Sequence, residues 1–257
     1  MRWNPESYAR YAGHRGRPFF DLVSRIHADA PRTVVDLGCG PGELTEALAH
    51  RWPEAQVIGI DSSADMIGKA RGRRAPSNLT FETGDLRDHR PDSVDVLVTN
   101  AALQWVQGHQ DLLAAWARSL RPDAWLALQV PGNFGAPSHA LMREHAASPR
   151  WAGQLVGVLR HDDAVGEPDD YLRILLSGGL EADVWETTYQ QVLQGEDAVL
   201  EWVRGTGLRP VLEALSEEEA REFEAGYGAL LRSAYPGSEH GTVFGFRRIF
   251  AVGHRAD

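Results

Sequence analysis

Short apolar runs rich in β-branched residues alternate with segments of helical spacing through the first half of the chain. The runs that predict strands begin at Thr33 and then fall at 57–61, 79–83, 94–99 and 124–130. Helical spacing is seen at Leu44, Leu48 and Trp52, and again at 65–73 and 110–120. Strands that alternate with helices predict an α/β fold, a doubly wound parallel sheet with helices on both faces.

The second half of the chain departs from this alternation. Residues 181–190 and 243–252 have strand patterns, and the segment between them, 195–235, is mainly helical. The sequence therefore predicts a Rossmann-like sheet of about seven strands that ends in an antiparallel strand at 243–252, with a helical insertion before it. Ser216 and Glu219 form a capping-box pattern, so the acidic run around them is interpreted as the solvated start of a helix.

The composition narrows the class of protein. With 43% hydrophobic and 24% charged residues, the chain is expected to be globular, and none of its apolar runs reaches the length of a membrane span. Its first residues contain no apolar signal segment, and its one cysteine, Cys39, cannot form an internal disulfide, so a cytoplasmic location is expected. The formal charge of −10 disfavours binding to nucleic acid.

The first predicted strand leads into a glycine-rich turn, Asp-Leu-Gly-Cys-Gly-Pro-Gly at 36–42. Gly38, Gly40 and Gly42 allow the backbone to approach a ligand closely, and the following helix presents unpaired N–H groups. The dinucleotide fingerprint would need a third glycine at position 43, which is Glu43 here. A pyrophosphate is therefore disfavoured, and a cationic nucleoside without phosphate fits better.

Acidic residues follow the next two predicted strands. Asp61 ends the second strand, where doubly wound folds place an acid that accepts hydrogen bonds from ribose hydroxyls. The alternative is a charge at a helix N-terminus, but we favour the ribose role because the glycine turn and the acid occur within one βαβ-sized unit. Asp85 follows the third strand and is a candidate to accept a hydrogen bond from an adenine amino group, although alone it would be a turn aspartate.

Four motifs together resemble those of the class I S-adenosylmethionine-dependent methyltransferases. They are VDLGCGPG at 35–42, IDSS at 60–63, GDL at 84–86 and NAALQW at 100–105. A second set resembles, within that family, the enzymes that methylate trans-aconitate: WNPESY at 3–8, RP at 17–18, PGN at 131–133, HALMRE at 139–144, WETTY at 185–189, TGLRP at 206–210 and FRRIF at 246–250. This resemblance covers nearly the whole chain and is weakest at 148–166.

The resemblance implies transfer of a methyl group from S-adenosylmethionine to one carboxylate of trans-aconitate, giving a monomethyl ester and S-adenosylhomocysteine. It implies cofactor contacts from Asp36, Gly38, Cys39, Gly40, Gly42, Asp61, Ser62, Met66, Gly84, Asp85, Leu86, Asn100, Ala101, Gln104 and Trp105. Arg17 is a candidate to bind the cofactor carboxylate, from a segment with Tyr8 and Tyr11 that would close over the cofactor. The alternative is a helix that only docks on the core.

No catalytic acid or base is expected, because a carboxylate is already ionised at neutral pH. Trp105 is instead expected to position the reactants as a wall beside the methyl group, although an ordinary core tryptophan is the alternative. Cys39 is interpreted as a small packing residue and not as a nucleophile, since no histidine partner occurs at a recognisable spacing. The histidines have no short ligand spacing, so no metal site is predicted.

An anionic acceptor calls for arginine, whose planar fork binds carboxylates. Arg209, in a turn bracketed by glycine and proline, is the first candidate. Arg248 is the second, because it and Arg247 must face opposite sides of the last strand and the resemblance favours Arg248. The weaker candidates are expected after strands, at the ligand crevice of an α/β fold: Asn133, His139, Arg143 and Tyr189.

We expect one methyltransferase domain over 1–257, with an N-terminal lid at 1–30, a cofactor-binding core at 31–190, a helical cap at 191–240, and the last strand and C-terminus at 241–257. Two other functions stay open. One is methylation of a different small acceptor, which would usually need a base. The other is a non-catalytic protein that binds S-adenosylmethionine. Nucleic-acid methylation ranks lower because the NAALQW motif lacks the Pro-Pro-aromatic element that grips a flipped base.

Overall fold

A computed structural model of the chain describes residues 13, 16–159 and 164–256. The chain divides into two compact units, and each is described by itself. Unit 1 comprises Met1–Val130, Gly166–Glu186 and Ile249–Asp257, and unit 2 comprises Pro131–Val165 and Thr187–Arg248. Within the described part of the chain, no helix combines the length and apolar character that crossing a membrane requires.

The strands confirm the predicted alternation within a residue or two at most ends. They are β1 (Thr33–Leu37), β2 (Gln56–Asp61), β3 (Leu79–Thr83), β4 (Val96–Asn100), β5 (Trp125–Pro131), β6 (Glu181–Leu193), β7 (Gly237–Ser238) and β8 (Gly241–His254). The helices are α1 (Arg17–Val23), α2 (Glu43–Arg51), α3 (Ala64–Arg71), α4 (His109–Ser119), α5 (Pro137–Ala146), α6 (Ala152–Leu155), α7 (Pro168–Ser177), α8 (Ala198–Arg204), α9 (Arg209–Ala214) and α10 (Glu217–Ala234).

The sheet has the strand order β3-β2-β1-β4-β5-β8-β6, and the two-residue strand β7 pairs with β8. The first five strands are parallel, with Leu37 of β1 beside Ile60 of β2 and Thr99 of β4. Backbone hydrogen bonds run from Arg255 to Ala124 and from Gly132 to Arg247. As residue numbers rise along β5, the numbers of the residues paired with them fall along β8. The strand β8 is therefore antiparallel to β5, as predicted.

The order reverses beside β1, since β2 and β3 lie on one side of it and β4 and β5 on the other. In doubly wound sheets this reversal creates the ligand crevice at the carboxyl ends of the strands. The central strands are buried on both faces, as the burial of every residue from Val34 to Leu37 and of Val96 to Thr99 shows. The turns after β1 and β4 therefore follow strands that are held in the core.

Unit 2 has its own apolar core around α5, α8 and α10. Its largest buried side chains include Trp151, Phe223, Tyr227 and Phe244. The predicted capping box is confirmed: the Ser216 hydroxyl accepts from Glu219 N, and the Glu219 carboxylate accepts from Ser216 N. The insertion at 195–235 is helical as predicted.

Candidate active site

The turn after β1 has a backbone conformation that favours glycine. Gly38 and Gly42 have φ values of 77° and 81°, in the left-handed region that other residues avoid. A Cβ atom on Gly38 would also lie 2.3 Å from the Ala102 Cβ, and one on Gly42 would lie 2.5 Å from the Phe81 ring. Close packing against β3 and against the turn after β4 therefore fixes both ends of the glycine turn.

The Asp61 carboxylate joins two of the predicted motifs. Its Oδ2 accepts a hydrogen bond from Gly40 N at 2.9 Å, and its Oδ1 accepts one from Ser63 N at 2.8 Å. Ser63 in turn caps α3 by accepting from Met66 N at 3.3 Å. Each carboxylate oxygen can accept more than one hydrogen bond, so Asp61 keeps capacity for a ligand donor. Ser62 and Met66 flank this cap.

Asp36 is buried at the end of β1, and its Oδ2 accepts a hydrogen bond from the Thr45 hydroxyl at 2.7 Å. Burial raises the pKa of Asp36 to about 6; the Thr45 hydrogen bond opposes this rise, and the negative charge of Asp61 adds to it. Burial, together with the same two aspartates, raises the pKa of the Cys39 thiol. A thiol held in its neutral form fits the interpretation of Cys39 as a packing residue.

We expect Asp36→Asn to change how stability depends on pH. Because its pKa is raised, the folded chain keeps a proton on Asp36 between pH 3.8 and about 6, where the unfolded chain has lost it. This stability is complete below about pH 4 and is lost as pH rises through about 6, at a cost of about 3 kcal/mol. As pH rises from about 4 to about 7, urea unfolding should therefore show the unfolding free energy of the variant rising relative to that of the wild type by about 2–3 kcal/mol.

The difference between variant and wild type cancels the titration of other groups, including His139. A gap in unfolding free energy that stays constant over this pH range would contradict the prediction.

The turn after β3 carries the GDL motif. Gly84 donates a backbone hydrogen bond to the Asp61 carbonyl at 3.0 Å, and Leu86 begins a short 3-10 helix that Asp85 caps. The Asp85 carboxylate also pairs with Arg87, with Nη2 to Oδ2 at 2.5 Å, and these hydrogen bonds lower the pKa of Asp85 to about 2. Arg87 therefore competes for the carboxylate that was predicted to meet an adenine amino group.

The turn after β4 contains the NAALQW motif. Ala101 has a φ of 55°, which is unusual for a residue with a side chain. Gln104 is buried, and its Nε2 donates to the Ala101 carbonyl at 2.6 Å. Trp105 is 54% exposed, so it is not an ordinary core tryptophan, and part of its surface is open to a ligand.

Unit 2 holds the predicted acceptor-binding residues. Arg248 is only 8% exposed, and its guanidinium lies 4.3 Å from the centre of the Phe246 ring. Arg209 was predicted in a turn, but it is the first residue of α9. Its side chain is 72% exposed and its Nε donates to Glu213 Oε1 at 2.7 Å. Arg248 is thus far less exposed than Arg209, and an exposed, paired cation binds a second anion less strongly.

The weaker candidates mostly have structural partners. The Asn133 amide accepts from Arg247 N at 2.5 Å and donates to the Gly245 carbonyl at 3.4 Å, so both of its ends hold the turn after β5 to β8. Arg143 donates to the Phe134 carbonyl at 2.7 Å. Tyr189 is buried within β6, so the prediction that it follows a strand is wrong. The predicted strand at 181–190 already contained Tyr189, and the structure extends that strand to Leu193.

His139 lies on α5 against the Phe134 ring, with Nδ1 at 3.1 Å from the Ser138 hydroxyl. Burial, and to a lesser extent the charge of Arg143, lower the pKa of His139 to about 4. The imidazole is therefore neutral at physiological pH, and its low pKa makes it a poor proton acceptor.

The N-terminal candidates are only partly described. Arg17 begins α1 and pairs with Asp21 at 3.8 Å, while Phe19 and Leu22 of the same helix are buried. The helix α1 therefore packs through its apolar face, and the side chain of Arg17 stays exposed. Tyr8 and Tyr11 lie outside the described residues. No group of side chains suited to a metal ion occurs in the described ranges.

Two residues of this site were missed in the sequence. Thr45 lies on the buried face of α2, where the sequence pattern predicts only a core residue. Thr99 is completely buried in β4. A polar side chain on an otherwise apolar element was the available signal.

Comparisons with known proteins agree with this geometry. A family model described as a methyltransferase domain matches residues 34–123. A protein of Streptomyces coelicolor named trans-aconitate 2-methyltransferase is 54% identical, with 99% of this chain and 87% of the relative covered. A Streptomyces avermitilis protein of the same name is 52% identical, with 98% and 97% covered.

Among solved structures, the YcgJ protein from Bacillus subtilis superposes with a TM-score of 0.61 at 15% identity, covering 94% of this chain and 99% of that protein. That likeness supports the fold alone. Identity above half over nearly the full length settles the family: this chain belongs to the trans-aconitate 2-methyltransferases, within the class I S-adenosylmethionine-dependent methyltransferases.

Proposed function

We propose that this chain methylates one carboxylate of trans-aconitate with S-adenosylmethionine, giving the monomethyl ester and S-adenosylhomocysteine. The observation that carries the proposal is the near full-length identity of 54% to a relative of that name. When bound, S-adenosylmethionine supplies an electrophilic methyl group on a positively charged sulfur. A carboxylate oxygen takes this methyl group and the sulfur keeps the electron pair, so no proton moves.

The residues of unit 1 fit such a cofactor. A Cβ atom on Gly40 would meet no protein atom within 4 Å, so the backbone of the glycine turn is open to a ligand at this point. Buried oxygens of Asn100 and Gln104 have no hydrogen-bond partner among the described residues. Both observations suit a ligand that brings bulk to the turn and donors to the oxygens.

We propose the following cofactor roles, which these positions support. Asp61 accepts from the ribose hydroxyls while it holds the glycine turn through Gly40 N. The turn at 84–86 meets the adenine, with Asp85 shared between the adenine amino group and Arg87. Asp36 adds negative potential for a cationic ligand. Arg17, in a lid at 1–30, binds the cofactor carboxylate. The remaining motif residues shape the walls: Gly38, Cys39, Gly42, Ser62, Met66, Asn100, Ala101, Gln104 and Trp105.

Arg248 leads the acceptor-binding residues, because a guanidinium with little exposure to water binds a carboxylate more strongly than one in bulk solvent. Phe246 stacks on it and fixes its plane. The secondary contacts are proposed from Arg209, Asn133, His139, Arg143 and Tyr189. Neutral His139 takes part as a hydrogen-bond donor and not as a base.

The protein therefore acts by alignment and desolvation. The acceptor oxygen is ionised well below neutral pH, so no base is needed. Holding two reactants in line contributes about 7–11 kcal/mol of the barrier reduction in well-oriented systems. Trp105 limits the directions from which an acceptor reaches the methyl group. We also propose a cytoplasmic location, since a chain with one cysteine gains no internal disulfide from an oxidising compartment.

A product assay tests the function. Purified protein is incubated with S-adenosylmethionine labelled in the methyl group and with a panel of di- and tricarboxylic acids, amines and phenols. We expect mass spectrometry to find the label in a monomethyl ester of trans-aconitate, with one S-adenosylhomocysteine formed per ester. Label in an amine, phenol or carbon acceptor, or no transfer to any acid, would overturn the proposal.

A further inference from the structure

The end of β4 carries buried oxygen atoms that lack hydrogen-bond partners. Among the described residues, these are the side-chain oxygens of Thr99, Asn100 and Gln104. A buried acceptor without a donor costs stability, and proteins keep few of them. Three within six residues, two of them in the NAALQW motif, therefore point to a ligand that brings donors.

Gln104 is the best defined of the three. It is 6% exposed, and its Nε2 donates to the Ala101 carbonyl at 2.6 Å. A flipped amide would place two carbonyl oxygens against each other, so this hydrogen bond fixes Oε1 as the atom without a partner. The positive φ of Ala101 directs the carbonyl that holds the amide.

This turn lies directly against the glycine turn. Thr99 is the register partner of Leu37, the residue before Gly38, and a Cβ on Gly38 would overlap with Ala102. Both turns belong to unit 1. The turn that carries Gln104 thus packs against the glycine turn at the same edge of the sheet.

The chemistry of the two reactants identifies the missing donor. A fully ionised tricarboxylate has hydrogen-bond acceptors only, so it cannot satisfy an amide oxygen. S-adenosylmethionine has three kinds of N–H or O–H donor: ribose hydroxyls, an adenine amino group and the ammonium of its amino-acid part. The proposed function assigns the first two to Asp61 and Asp85, and the ammonium is left.

We propose that Gln104 is the residue that binds the cofactor ammonium, through Oε1. The proposal rests on the proposed function for its cofactor and adds which part of that cofactor this side chain meets. An ammonium carries three N–H donors, so Asn100 Oδ1 can share it. The Ala101 hydrogen bond sets the direction of the amide before the cofactor arrives, which lowers the entropy cost of binding.

The test compares two ligands and two variants by calorimetry. The ligands are S-adenosylhomocysteine and the analogue in which hydrogen replaces its amino group. The variant Gln104→Met keeps the length of the side chain and removes the oxygen, and Gln154→Met is the matched control, since Gln154 is exposed on α6. Thermal melts confirm that each variant is folded.

We expect the wild type to prefer S-adenosylhomocysteine over the analogue by about tenfold to a hundredfold, the size of a hydrogen bond to a charged group. Gln104→Met should lose most of this preference and bind the analogue as the wild type does, and Gln154→Met should keep it. Equal weakening of both ligands in Gln104→Met, or no change in either, would overturn the proposal.

A third ligand separates the ammonium from the sulfur. If Gln104→Met weakened S-adenosylmethionine but bound S-adenosylhomocysteine normally, the oxygen would face the sulfonium and the proposal would be wrong. A wild-type chain that binds neither ligand would overturn the proposed function itself, whereas normal binding with unchanged preference overturns only the role of Gln104.

Discussion

Gly40→Ala is expected to weaken S-adenosylhomocysteine binding by about tenfold to a hundredfold, because a methyl group placed in a filled site costs what an overpacked core costs. Gly40 has a φ of 56°, and a Cβ there would meet no protein atom within 4 Å. The folded chain therefore has space for the methyl group and loses only about 1–2 kcal/mol for the left-handed backbone. The loss in affinity arises only if a ligand occupies that space.

Gly157→Ala is the matched control. Gly157 has a φ of 73° and is also free of neighbours within 4 Å, but it lies in unit 2. Both variants should lose a similar free energy of unfolding in urea, and only Gly40→Ala should lose affinity by calorimetry. Equal affinities in the two variants would show that the glycine turn does not hold the cofactor.

Arg248→Met is expected to lower kcat/KM for trans-aconitate by about a hundredfold and to leave the Kd for S-adenosylhomocysteine within about threefold of the wild type. Arg248 is nearly buried and stacked on Phe246, so its guanidinium has a fixed direction and weak competition from water. Methionine keeps the apolar length of the side chain and removes the charge. Steady-state kinetics and calorimetry separate the two ligands.

Two further variants make this prediction specific. Arg209→Met should lower kcat/KM by less than about tenfold, since Arg209 is exposed and paired with Glu213. Arg248→Lys keeps the charge but not the planar fork, so it should fall between Arg248→Met and the wild type. A larger loss in Arg209→Met than in Arg248→Met would restore the order that the sequence predicted.

The sheet could be predicted because its signals are local. Short apolar runs located β1 to β5, and the capping box at Ser216 located the start of α10. Gly38 and Gly42 are required because each has a positive φ and because a Cβ atom there would overlap with a neighbouring side chain. These features leave a mark in the residue types themselves.

The site side chains were harder to predict because their roles depend on partners distant in sequence. The sequence predicted that Asn133 binds the acceptor, but its amide forms hydrogen bonds with the backbone of β8, more than a hundred residues later. The exposure of Trp105 and the pairing of Arg209 with Glu213 likewise depend on how helices and turns are placed.

The pH dependence of methyl transfer in a single turnover tests the central claim most directly, namely that the acceptor is an anion that needs positioning and no base. With both ligands saturating, we expect a rate constant that is flat from about pH 6.5 to about pH 9, because the carboxylate is ionised throughout and neutral His139 does not titrate. A rate that falls about tenfold per pH unit below a pKa near 7 would reveal an essential base and contradict the account.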